Sequence, residues 1–167
     1  KSNTTNKKSS LSHYFLDIDH DLQLEDFDSS DLKLSIKKVS NDTYLKIFDQ
    51  HITKSSLRPE NFDNLNGSLK LFLNHEDFTF ETGIQSFEDL QIENKSDRYQ
   101  YNLPYYNYDK LVEQDYFNGT IDFNSNGNNY LSETNKLETN IINNFIYNST
   151  DYIYDFGLKN NFSLSLK

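Results

Sequence analysis

Apolar side chains recur at every second position over most of this chain, the spacing of strands with one apolar and one polar face. In the first run Tyr14, Leu16, Ile18, His20, Leu22 and Leu24 share one face, and Asp17, Asp19, Asp21, Gln23 and Glu25 share the other. Turn-forming residues 26–31 (DFDSSD) follow. Leu32, Leu34 and Ile36 then alternate with Lys33, Ser35 and Lys37. A turn centred near Asp28 sets Asp19 opposite Lys37 and Leu22 opposite Leu34, which pairs like faces and opposite charges.

The same spacing predicts a third strand over residues 43–49 (TYLKIFD), a long connection over 50–67, and a fourth strand carrying Leu69, Leu71 and Leu73. After a turn at 75–77, Phe78, Phe80 and Ile84 mark a fifth. The sixth, RYQYNLPYYNY over residues 98–108, sets Tyr99, Tyr101, Leu103 and Tyr105 against Gln100, Asn102, Pro104 and Tyr106. Pro104 has no N–H for a ladder, so a bulge or a missing ladder bond is expected there. A connection over 110–116 leads to the seventh strand, residues 117–127, with Phe117, Gly119, Ile121 and Phe123 opposed to Thr120, Asp122, Asn124 and Asn126. Leu137 to Tyr147 form the eighth, and after a turn at 149–151 residues 152–166 form the ninth. No strong helical period and no fixed-length repeat is present.

Two features choose among sheet types. Several predicted strands run ten residues or more, whereas strands in soluble sheets cluster near five or six. The predicted connections also alternate, short at 40–42, 75–77, 110–116 and 149–151, mostly longer at 26–31, 50–67, 89–97 and 128–135. Outer-membrane barrels combine short periplasmic turns with longer external loops. The expected fold is therefore all-β, an antiparallel up-and-down meander of about nine strands forming part of a transmembrane β-barrel. Residues 1–10 are a polar lead-in and residues 11–167 the partial barrel domain.

Composition narrows the functional classes. A net charge of -10 over 167 residues argues against nucleic acid, which needs a basic stripe. With 35% hydrophobic residues the chain can supply one apolar face per strand but not a thick two-sided core. The absence of cysteine excludes disulfides and thiolate metal sites within this chain. No run of 18 apolar residues predicts a membrane helix, although a mean hydropathy of -0.82 does not speak against membrane strands. The first residue is Lys1 and no apolar stretch follows it, so the chain reads as a segment whose targeting signal lies elsewhere.

Candidate chemistry is sparse. Asp17-x-Asp19-x-Asp21 resembles the start of a calcium loop, but Leu22 stands where glycine is required and Asp28 where glutamate is. His13, His20, His51 and His75 have no ligand spacing. The acidic pairs Glu76-Asp77 and Glu88-Asp89 fall at turn edges, and no nucleophile or phosphate-cradling motif occurs. The expectation is a protein that is not an enzyme and holds no cofactor or metal. The tyrosines of the sixth strand, with Tyr152 and Tyr154, suit an interfacial girdle or ordinary cross-strand packing in a soluble sheet.

The runs NDTYLKIFD (41–49), SSLRPENF, FETGIQSFEDL, RYQYNLPYYNYDK and FNGTIDFNSNGNNYLSETNKLETNIINNFIYNSTDYIYDFGLKNN together resemble the barrel domain of the lipopolysaccharide-assembly outer-membrane protein family (LptD, organic solvent tolerance). The likeness covers most of residues 32–161, the middle of such a barrel. It implies transport without catalysis in the bacterial outer membrane: lipopolysaccharide enters through a jelly-roll domain and leaves by a lateral seam, while a small lipoprotein plugs the lumen. The jelly-roll, the seam strands and the domain-joining cysteines have no counterpart in these residues, so no seam or entry position is carried over.

On this reading Leu16, Ile18, Leu22, Leu69, Leu71, Leu73, Ile121 and Phe123 meet outer-membrane lipid, and Asp17, Asp19, Lys33, Lys37, Asp122 and Asn124 face the lumen. The expected partners are lipopolysaccharide, the plug lipoprotein and lipid, not nucleic acid. Two alternatives stand beside it: a soluble extracellular sandwich or solenoid binding module, with the same stripes buried between sheets, and another outer-membrane barrel such as a porin or receptor. A second sheet over Leu69, Leu71, Leu73, Ile121 and Phe123 marks the sandwich; an outward belt marks the barrel.

Overall fold

The computed structural model describes residues 12–52, 56–59, 61–93, 95–114, 118–133 and 135–167. The lead-in and Phe117 lie outside them. One antiparallel meander dominates: β1 (His13–Asp21), β2 (Ser29–Val39), β3 (Asn64–Asn74), β4 (Phe78–Asp89), β5 (Tyr99–Gln114), β6 (Gly119–Ser132), β7 (Lys136–Ser149) and β10 (Ser163–Leu166) form an eight-stranded sheet in that order. The sheet is open, with β1 at one edge and β10 beside β7 at the other. β8 (Tyr152–Ile153) and β9 (Lys159–Asn160) form a separate small hairpin.

The third expected strand is not a strand. Residues 43–49 instead begin two short helices, α1 (Tyr44–Ile47) and α2 (Asp49–Ile52). Alternation in TYLKIFD leaves neither side apolar, whereas Leu45, Phe48 and Ile52 follow the three-and-four spacing of a helix face. The Asn41 Oδ1 accepts hydrogen bonds from the Thr43 N–H at 2.9 Å and hydroxyl at 2.7 Å, a side-chain turn that starts α1. Leu45, Ile52, Leu65 and Leu90 are buried together, with Phe15, Val39, Tyr44, Phe48 and Phe62 against them. This cluster lies under the β2–β3 connection and not between sheets, as satellite clusters beneath long loops do.

Losing that strand also removes the alternation of connection lengths. β1 and β2, β3 and β4, β5 and β6, and β7 and β10 are joined at one end of the sheet; β2 and β3, β4 and β5, and β6 and β7 are joined at the other. Long and short connections therefore occur at both ends. The ninth expected strand is broken at Gly157 (φ +86), whose N–H bonds the Tyr154 carbonyl at 2.8 Å, so residues 152–160 double back as the β8–β9 hairpin before β10. β5 and β6 run further than expected, through 114 and from 119 to 132, so most of 110–116 and 128–135 is strand.

The β1–β2 register differs by four residues from the expected one. Asp19 lies opposite Lys33, with Nζ to Oδ2 at 3.0 Å, and Ile18 opposite Leu34. Lys37 pairs with Phe15, and Leu22 lies in the turn. Buried Ser30 sets this register: its carbonyl accepts from the Leu22 N–H at 2.7 Å and its Oγ from the Leu24 N–H at 3.1 Å. An even shift leaves every side chain on its own face.

Candidate functional site: a two-faced sheet

Directly paired residues in an antiparallel ladder point to the same side, so the registers trace each face across the sheet. Leu16 and Ile18 pair with Ile36 and Leu34; Leu34 and Leu32 with Leu69 and Leu71; Leu69, Leu71 and Leu73 with Ile84, Thr82 and Phe80. Phe80 pairs with Tyr108, Lys110 with Phe123, Val112 with Ile121, and Phe123 and Ile121 with Phe145 and Tyr147. Leu16, Ile18, Leu69, Leu71, Leu73, Ile121 and Phe123 thus share one face. Asp17, Asp19, Lys33, Lys37, Asp122 and Asn124 share the other; Leu22 joins neither, being outside the ladder.

Away from the end where Leu65 joins the buried cluster, the apolar face is uncovered. Leu16 is 44% exposed, Ile18 46%, Leu69 38%, Ile84 43% and Ile141 62%. Among the described residues the only other sheet is the two-residue β8–β9 pair, so no second layer buries these side chains. Aromatic rings line this face toward the end carrying the 75–77 turn. Phe27 meets Phe78 edge-on at 6.2 Å, His75 stacks on Phe78 at 4.9 Å, and Tyr108 contacts Phe78, Phe80 and Phe123 at 5.7, 6.5 and 6.1 Å. Tyr147 continues the row to Phe162 at 5.7 Å. Tyr14, Tyr99 and Tyr101 stand toward the opposite end, leaving between them a band that is aliphatic on β1–β4 and carries Tyr106, Ser125, Gly127 and Asn143 on β5–β7.

The polar face of β5–β7 carries a net of amides and carboxylates. Asn124 donates to Asp109 at 2.5 Å and accepts from Asn126 and Asn144 at 3.2 Å each; Asn148 donates to Asp122 at 3.2 Å. Tyr130 donates to Gln100. Such a face offers both donors and acceptors along its length.

At Pro104 the pairing skips. Gly83 pairs with Tyr105 and Gln85 with Asn102 on one side, Asn128 with Tyr105 and Tyr130 with Asn102 on the other, so Leu103 and Pro104 oppose single residues on both neighbours. The Leu103–Pro104 peptide is cis, and the Thr82 hydroxyl donates to the Tyr105 carbonyl at 2.8 Å beside the bulge. The skip reverses the strand's phase, which corrects the simple alternation. Tyr99, Tyr101, Tyr106 and Tyr108 join the apolar face, and Tyr105 joins Gln100 and Asn102 on the polar one. The adjacent Tyr105-Tyr106 pair after the proline is the signal for this change of phase.

Arg98, which the sequence did not single out, ties the two long connections together. It ends α3 (Lys95–Arg98) and donates to both Asp42 oxygens at 2.9 and 2.6 Å and to Glu88 Oε1 at 2.8 and 2.5 Å. The hydrogen bonds from Arg98 hold the Asp42 carboxyl below its ordinary value of 3.8. A carboxyl so depressed stabilises the fold above its unfolded pKa and loses that contribution as pH falls through the folded one. Protection of the amides in residues 41–52, measured against the intrinsic exchange rate at each pH, should therefore be high at neutral pH and fall below the ordinary carboxylate range. Arg98→Ala should lower it at neutral pH, because it strands the mostly buried Glu88; unchanged protection in the variant would show that the connection is held by its apolar cluster alone.

No group of three or more His, Cys, Asp or Glu side chains among the described residues is placed to hold a metal ion. Among those residues no helix is long and apolar enough to cross a membrane, which leaves crossing by strands untouched. Comparison with family models, with curated proteins and with solved structures finds no match for this chain.

Proposed function

We propose that this sheet is part of a bacterial outer-membrane β-barrel that moves lipopolysaccharide to the outer leaflet, the role implied by the resemblance in the sequence. The observation that carries the membrane part is a largely apolar face, without a second sheet over it among the described residues, that runs from β1 to β10 and is broken on β6–β7 by the Ser125–Asn143 and Asn129–Thr139 pairs. Six neighbouring strands of 11 to 16 residues reach or exceed the nine to eleven that a tilted strand needs to cross a bilayer. Aromatic rings toward both ends of this face match barrel girdles, and a polar opposite face matches a lumen. Backbone groups in lipid must be paired, so the open edges, at β1 and along β10 with the part of β7 that β10 leaves unpaired, take further strands in the complete barrel. Lipopolysaccharide as cargo rests on the resemblance, as does the plug lipoprotein.

Depleting the protein in the cells that carry it tests location and cargo together. The expected result is recovery of the protein with outer-membrane vesicles and loss of newly made lipopolysaccharide from the cell surface. Surface lipopolysaccharide preserved with a loss of solute uptake would instead favour a porin or receptor. Recovery as a soluble, monodisperse monomer would sink the membrane reading and leave the extracellular sandwich or solenoid module.

A further inference from the structure

The apolar face is not smooth. A groove of about 470 Å³ crosses it toward the end that carries the β2–β3 connection. Its floor is low because two small residues pair there: Gly67 lies opposite Ser86, and a Cβ on Gly67 would stand 2.8 Å from the Ser86 hydroxyl. Ile36, Leu69 and Ile84 form its aliphatic walls. Lys38 stands at the groove two residues beyond Ile36 on the same face, exposed and without an ion pair among the described residues. The groove's one acid, Glu88, is neutralised by Arg98 at 2.5 Å and accepts from the Tyr99 hydroxyl at 3.0 Å. Lys37 also borders the groove but belongs to the opposite face, so Lys38 is the uncommitted charge on the trough's own side.

We propose that this groove holds one acyl chain of an anionic phospholipid whose phosphate rests on Lys38. The site rests on the membrane reading above and adds to it a fixed lipid on the outer wall. An acyl chain supplies the apolar filling that the Gly67–Ser86 pair leaves out, and an ammonium at the band's edge snorkels to the headgroup level. A zwitterionic lipid fills the trough equally well, but its headgroup cation offsets the attraction of its phosphate to Lys38, so it gains less there.

The chain contains no tryptophan, so an indole introduced into it is read as the difference in emission from the unsubstituted full-length protein. Ile36→Trp places a probe in the groove wall, and Ile141→Trp places one on the same face far from it. Each full-length variant is refolded into bilayers of phosphatidylcholine and phosphatidylglycerol, with bromine on the acyl chains of one lipid or the other. At position 36 the anionic lipid should be preferred about fivefold, the ratio expected of one lysine beside an anionic headgroup. At 141 the two lipids should quench alike. Lys38→Gln and Ser86→Leu, introduced separately with Ile36→Trp, should each abolish the preference. Equal quenching by both lipids at both positions overturns the site while leaving the membrane reading intact, and no quenching at either position overturns both.

Discussion

Leu69→Arg should lower the stability of the chain in lipid vesicles by about 2–4 kcal/mol, the cost of arginine at the bilayer midplane on a barrel's outer wall. That is a roughly 30- to 1,000-fold loss in the folding constant. Leu69 sits at the centre of β3, between Leu34 and Ile84, 38% exposed on the apolar face. Ser68, one residue earlier, lies at nearly the same depth but on the polar face, between Ser35 and Gln85. Ser68→Arg should cost less than about 1 kcal/mol, because its guanidinium projects into water with amides for partners. Urea titration of the vesicle-inserted variants, read by the heat resistance of the folded band on a gel, compares the two directly. An equal or larger loss for Ser68→Arg would mean that the apolar face does not meet lipid.

The faces were legible in the sequence because period 2 is strict within each strand and insensitive to even errors in register. The four-residue error between β1 and β2 left Asp19 beside a lysine, Lys33 instead of Lys37, and left Ile18 and Leu34 on the apolar side. TYLKIFD reads as a strand because its composition is strand-like, and its helical spacing emerges only when Ile52, beyond the run, is counted with Leu45 and Phe48. Pro104 announced an interruption through its missing donor, yet the phase beyond it depends on how many residues the bulge adds. Arg98 was invisible for a different reason: it joins Asp42 across 56 residues of chain, and nothing local marks that contact. Gly83 and Gly127 were equally silent, since their importance lies in the tyrosines of the neighbouring strand that pack over them.

Tyr105→Ala should be the most damaging truncation on the polar face, at about 3 kcal/mol or more, the range for removing a buried aromatic ring. The bulge turns this one tyrosine away from the aromatic face, and it is 7% exposed among polar neighbours. Its ring covers Gly83, where an added Cβ would stand 3.1 Å from it and 2.4 Å from the Leu69 carbonyl oxygen. The glycine leaves the space and the ring closes it, as aromatic residues do opposite strand glycines. The hydroxyl donates to Glu81 Oε1 at 3.0 Å, a hydrogen bond to a charged acceptor that contributes about 1.5–3 kcal/mol. Tyr105→Phe keeps the ring and loses only that bond, so it should cost clearly less than Tyr105→Ala. If the two variants unfold at the same urea concentration, the hydroxyl and not the ring holds β4 to β5 beside the bulge, and the glycine contact is incidental. If Tyr105→Phe is intermediate, the ring's fit over Gly83 is what lets a strand containing proline stay paired on both sides.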